Sequence, residues 1–166
     1  MTILARAAAF AAAFTLVAAS HLEAQSSTVC VTIGGGPHAG TYEKTDRCEV
    51  NDNKFPSMFM MAYTIGTVGP KIPQSIEFFT ASGKGKPDGF VVNVVFTPAG
   101  KSIAYEIYAI PPELWPPGRA LPPRGRGNVT VRQTAAGKTA TFRGETKDGV
   151  RMEGSVDCRN DAAAGS

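Results

Sequence analysis

From Ser26 onward the apolar residues of this chain recur mostly at every second position, and Gly, Pro, Asn and Asp interrupt them about every ten residues. Side chains alternate across a strand, so such a chain is built from short half-buried strands joined by turns. Almost no stretch carries the 3.6-residue period of a helix. The pattern predicts an all-β chain, an antiparallel β-sandwich of about seven to eight strands in a single domain. Met58–Tyr63 and Phe90–Phe96 are apolar on both faces and are expected at the centre of the packing.

Ahead of this pattern stands a different one. Met1 to Arg6 is a short positive start, and Ala7 to Ala19 is apolar except for Thr15, with Ala24 soon after. The apolar run is shorter than the ~20 residues needed to span a bilayer, which predicts a signal peptide over residues 1–24. Cleavage after Ala24 is the expected cut. Cleavage after Ala19 and retention as an anchor are the alternatives. Export follows, to a periplasmic or extracellular site, with the sandwich over residues 25–158 and a disordered tail over 159–166. No later segment is apolar enough to span a membrane.

The formal net charge is +3, and basic residues are interspersed with acidic ones throughout, which argues for solubility and against a nucleic-acid partner. Three cysteines in an exported chain allow one disulfide and leave one thiol. In Thr28–Ile33 the alternation turns Cys30 outward, whereas in Val150–Cys158 it turns Cys158 inward, toward Cys48 at the end of Thr41–Arg47. These faces favour Cys48 with Cys158 and leave Cys30 free, although all three pairings stay open by count.

Candidate chemistry fails on context. Gly34-Gly35-Gly36-Pro37-His38-Ala39 has the letters of a dinucleotide-binding turn, but no helix follows to receive a pyrophosphate, so a hairpin loop is expected. Gly137-Lys138-Thr139 resembles the end of a phosphate-binding loop, yet the glycine required earlier is Arg132. Beyond the leader His38 is the only histidine, which leaves little for a catalytic triad. Cys30, Cys48, Cys158 and His38 would suit zinc by type but not by spacing. Met58, Met60 and Met61 read as core. Glu106, Glu113, Glu145, Asp148 and Asp157 are scattered over outward or loop positions. The expectation is a protein without enzyme activity, cofactor or metal.

Pro111 to Arg126 is the unusual stretch, since it holds half of all the prolines. Polyproline geometry would extend it and expose Trp115, Arg119, Leu121 and Arg124, the candidate contact loop, while a rigid connection across one end of the sandwich is the plainer reading. The functional expectation is a binding module whose protein or cell-envelope partner the residues do not name. An alternative is a carrier of a small apolar ligand, with Phe90, Val92, Val94, Phe96, Tyr105 and Phe142 around a cavity.

In the last third, Gly125–Val131, then Thr141–Thr146, then a strand ending Ser155-Val156-Asp157-Cys158, the chain is similar to the mycobacterial small surface lipoprotein antigens. That resemblance implies a small exported β domain with one cysteine after its first segment and another ending its last strand, here Cys48 and Cys158. Members carry a lipidated cysteine directly after the leader. Cys30 follows Ser27-Thr28-Val29 instead, which implies a soluble form.

Overall fold

The computed structural model describes residues 26–51, 55–65, 69–82, 88–118 and 124–159. Residues 1–25, where the leader is expected, the expected tail beyond Arg159, and Arg119 and Leu121 of the proline-rich stretch lie outside them.

Ten strands are present among the described residues: β1 Ser27–Ile33, β2 Gly40–Asp46, β3 Cys48–Val50, β4 Met58–Tyr63, β5 Ser75–Ala81, β6 Gly89–Phe96, β7 Ile103–Ala109, β8 Arg126–Thr134, β9 Gly137–Glu145 and β10 Arg151–Arg159. They form two five-stranded antiparallel sheets, the first in the order β2-β1-β10-β9-β8 and the second in the order β3-β4-β5-β6-β7. This is the all-β sandwich expected from the alternation, with more strands than the seven to eight foreseen. One added strand has a clear origin. β2 and β3 are a single run of chain that leaves the first sheet at Arg47 and enters the second at Cys48. No glycine or proline marks the passage, so nothing in the local sequence divides it.

Alternation sorts the side chains as the physics of the pleat requires. Val29, Val31 and Ile33 of β1, Met152 and Val156 of β10, and Ala140 and Phe142 of β9 meet Met58, Met60, Ile76, Phe78, Phe90, Val92, Val94, Phe96 and Ile107 of the second sheet in one core. Of the strands expected at the centre, β4 and β6 stand on either side of it, because β5 takes the middle of the second sheet. β6 is buried on both faces over Phe90–Val92. Its outward Val91 is fully covered by a second apolar cluster with Ala81 and Ile110, roofed by Phe55, Phe79, Tyr108, Leu114 and Trp115.

Both lateral openings of the sandwich are bridged. On one side the β2–β3 run passes between sheets. On the other, Tyr108 and Arg124 exchange backbone hydrogen bonds of 2.7 and 3.3 Å between β7 and the segment leading into β8. A disulfide joins Cys48 at the edge of the second sheet to the fully buried Cys158 near the end of β10. Cys30 is a free, half-buried thiol on the outward face of β1, between Ser155 and Glu43 in the cross-strand register. β10 runs to Arg159, one residue past the expected boundary, where the Arg159 amide donates to Ser27 Oγ at 3.0 Å.

Candidate functional site

The proline-rich stretch is fastened to the second sheet. Pro111 and Pro112 open a single 3-10 turn over Pro112–Leu114, and Trp115 follows in extended conformation. Proline supplies the fixed φ of that turn and cannot extend the β7 ladder, so the chain leaves the sheet edge and folds back over its outer face. Trp115 lies half-buried there, 5.3 Å from the Phe55 ring and 6.3 Å from Phe79. The expectation that it is exposed is therefore corrected: an indole beside an uncovered apolar sheet face gains more from burial than from water.

Arg124 is similarly engaged. Its guanidinium donates to Glu106 Oε2 at 3.0 Å and lies 5.6 Å from the Tyr108 ring centroid. Burial foremost, then the carboxylates of Glu106 and Glu77, hold the Tyr108 phenol above its ordinary pKa, with Arg124 acting in the opposite direction. Trp115 and Arg124 thus behave as a connection sewn to the outer face of the second sheet, Trp115 against Phe55 and Phe79 and Arg124 against Tyr108 and Glu106.

The residues that would line an apolar cavity fill their space with one another. Phe90, Val92, Val94 and Phe96 are fully buried, and Phe142 and Tyr105 nearly so. The Phe142 ring lies 5.3 Å from Phe78 and 5.5 Å from Phe90.

His38 sits in the β1–β2 hairpin loop and is 5% exposed. Its ring stacks on Phe96 at 4.3 Å and meets Tyr105 edge-on at 6.0 Å, while Tyr42 Oη donates to the His38 carbonyl at 2.8 Å. Nδ1 is buried without a hydrogen-bond partner. A flat ring is what this position uses, and its nitrogen is a burden. His38→Phe is expected to leave thermal stability unchanged or raise it by up to about 1 kcal/mol, whereas His38→Ala should lower it by about 2 kcal/mol, both read by denaturant unfolding.

The most developed concavity is on the outer face of the first sheet. A groove of about 730 Å3 is lined by Thr32, Gly34, Arg126, Gly127, Asn128, Arg143, Gly144, Glu145, Arg151, Met152 and Glu153. A second depression of about 580 Å3 adjoins it, shares Thr32, Asn128, Arg143 and Glu153, and continues over Thr130, Thr141 and Ser155. The strand register assembles this surface. Arg126, Glu145 and Arg151 form one cross-strand row, and Asn128, Arg143, Glu153 and Thr32 form the next. Gly127 and Gly144 belong to the first hollow because their inner faces are filled from the other sheet. A Cβ on either would come within 2.9 Å of a core side chain, Phe90 Cζ or Ile107 Cδ1 respectively. Glycine is therefore required at these two lining positions.

Arg126 donates to Glu145 Oε2 at 2.9 Å. Neither Arg143 nor Arg151 has an ion-pair partner among the described residues, and both are exposed. The arrangement offers guanidinium forks, an amide and several hydroxyls to a ligand, and no nucleophile with an activating base. Sequence reading had placed Glu145 among solvated outward carboxylates and passed over the three arginines. Alternation marks each of them as outward, but only the pairing of β8 with β9 and of β9 with β10 makes them neighbours. Among the described residues no group of three or more His, Cys, Asp or Glu side chains is placed to hold a metal ion, and no helix is long and apolar enough to cross a membrane. No family model matches this chain, and neither a curated protein nor a solved structure does so.

Proposed function

We propose that this is an exported, noncatalytic binding module that takes a polar, acid-bearing ligand on the outer face of its first sheet. The observation that carries the reading is the groove in which Arg126, Arg143 and Arg151 come together from three adjacent strands with Arg143 and Arg151 unpaired. Guanidinium groups bind carboxylate, sulfate or phosphate through paired N–H donors, and Asn128 and the Thr32, Thr130 and Thr141 hydroxyls would serve the neutral polar parts of the same ligand. The leader pattern and the cross-sheet disulfide support export, since disulfides persist in oxidising compartments. Kinship with small surface lipoprotein antigens of mycobacteria belongs to the same proposal and rests on the strands of the last third alone.

Retention on immobilised dextran sulfate, compared with neutral dextran, tests the reading. The protein should be held on the sulfated matrix, and Arg143→Ala with Arg151→Ala should weaken binding about tenfold per arginine. Arg132→Ala with Arg159→Ala removes the same charge elsewhere on that sheet and should cost far less. Equal losses from both pairs would reduce the groove to a general charge effect and overturn the assignment.

A further inference from the structure

A separate feature lies at the end of the second sheet where β4 runs into β5 and β6 into β7. The large apolar side chains most exposed among the described residues are Tyr63 at 59%, Ile65 at 99%, Ile72 at 46% and Ile103 at 37%. Tyr63, Ser75, Val95 and Ala104 occupy one cross-strand row, and Ile103 stands next to Ala104 at its rim. With strands ~4.8 Å apart the row spans about 15 Å, with Tyr63 on the outer face and Ile103, opposite the buried Phe96, on the inner one. Scattered apolar residues on a surface need no explanation, but four at one end of a sheet form an apolar rim.

The neck of the β4–β5 loop is fixed. The Thr64 amide donates to the Gln74 carbonyl at 2.8 Å and the Gln74 amide to Val95 at 2.7 Å, while Lys44 Nζ donates to Thr64 Oγ1. Nearer the end, the Ile72 amide donates to Gly69 at 3.0 Å and, on the neighbouring hairpin, the Lys101 amide to Pro98 at 3.0 Å. Ile65 and Ile72 are thus held out in water by an ordered scaffold.

The charge of this end leans positive: Glu106 and Asp148, which border Ile103, are paired with Arg124 and Lys147. Lys71 and Lys101 are exposed on the same two loops, and no Asp or Glu occurs in 64–76 or 97–105. A protein partner of ordinary size needs roughly 800 Å2 of complementary surface from each side, usually around aromatic or arginine anchors in a pocket. Exposed aliphatic side chains with lysines beside them match an interface that is apolar below and anionic above.

We propose that this end of the sandwich docks on an anionic lipid surface: Ile65, Ile72 and Ile103 enter the boundary between headgroups and acyl chains, and Lys71 and Lys101 remain among the headgroups. Long lysine stems allow that placement, because the ammonium reaches the polar layer while the methylenes stay with the isoleucines.

Co-sedimentation with vesicles tests it, using phosphatidylglycerol–phosphatidylcholine mixtures against pure phosphatidylcholine at low salt. The chain should partition to the anionic vesicles, and Ile65→Asp with Ile103→Asp should lower the partition coefficient about tenfold or more. Lys71→Gln with Lys101→Gln should lower binding to the anionic vesicles while leaving phosphatidylcholine unaffected. Ile65→Trp should add a blue-shifted emission on vesicle addition, and Ile65→Asp with Ile103→Asp should leave retention on dextran sulfate unchanged, which separates the tip from the groove. Absence of partition at low salt, binding indifferent to the two aspartates, or self-association that Ile65→Asp abolishes without any vesicle binding would each overturn the proposal.

Discussion

Replacing Cys48 and Cys158 together by alanine should cost the fold about 4–5 kcal/mol, read from denaturant unfolding as a lower midpoint with a steeper slope, because the unlinked unfolded chain exposes more surface. The two residues are 110 positions apart in the chain, so the bond closes nearly the whole described domain into a loop. An unfolded chain without that closure gains conformational freedom that grows with the logarithm of loop length. The bond also ties the edge of the second sheet to the last strand of the first, where the short three-residue β3 has only β4 as a sheet partner. Cys30→Ala is the companion measurement. Cys30 faces outward with a free thiol, and its loss should change stability by no more than about 0.5 kcal/mol. A large effect from Cys30 and a small one from the pair would mean that the cross-link is elsewhere.

Phe90→Ala should cost about 3–5 kcal/mol, the range for emptying a large aromatic from a closed core. Phe90 is fully buried, 5.5 Å from Phe142 and 6.5 Å from Phe78, and its ring tip lies under Gly127. The same variant separates two functional readings. In a closed core the substitution creates an apolar hole that a small aromatic such as benzene would fill, restoring part of the lost stability. In a ligand carrier the space is already there, and the loss should be small and benzene binding already present in the parent. Unfolding midpoints measured with and without benzene decide between them.

The difference between what was readable and what was not follows the range over which each interaction acts. Period-two alternation is a property of neighbouring residues, so the strand character of the chain, the inward face of Cys158 and the outward face of Cys30 could be read directly. The two hairpin turns, Gly34 to Ala39 and Asp148-Gly149, were readable for the same reason. The rejected phosphate-binding motifs depended on a following helix, whose absence is also a local matter.

Trp115 and Arg124 show where local reading ends. Their proline-rich surroundings specify an extended chain, but whether such a chain stands free or lies on a sheet depends on which sheet face is left uncovered. That face is made by Phe79, Val91 and Tyr108 on three strands brought side by side by their pairing. The groove is a stronger case. Arg126, Arg143 and Arg151 become one surface only through the registers of β8 with β9 and β9 with β10, and a slip of one residue in either pairing would turn one of them inward.

By itself, then, the sequence determined the class of fold, the faces of the cysteines and the lack of a recognisable catalytic motif, because alternation and turn chemistry act between residues close in the chain. The tertiary structure alone decided the strand order, the change of sheet at Arg47, the covering of the second sheet by Trp115, the arginine groove and the exposed isoleucine tip. Each of these depends on which distant strands become neighbours, and that choice is made by burial of the whole core at once.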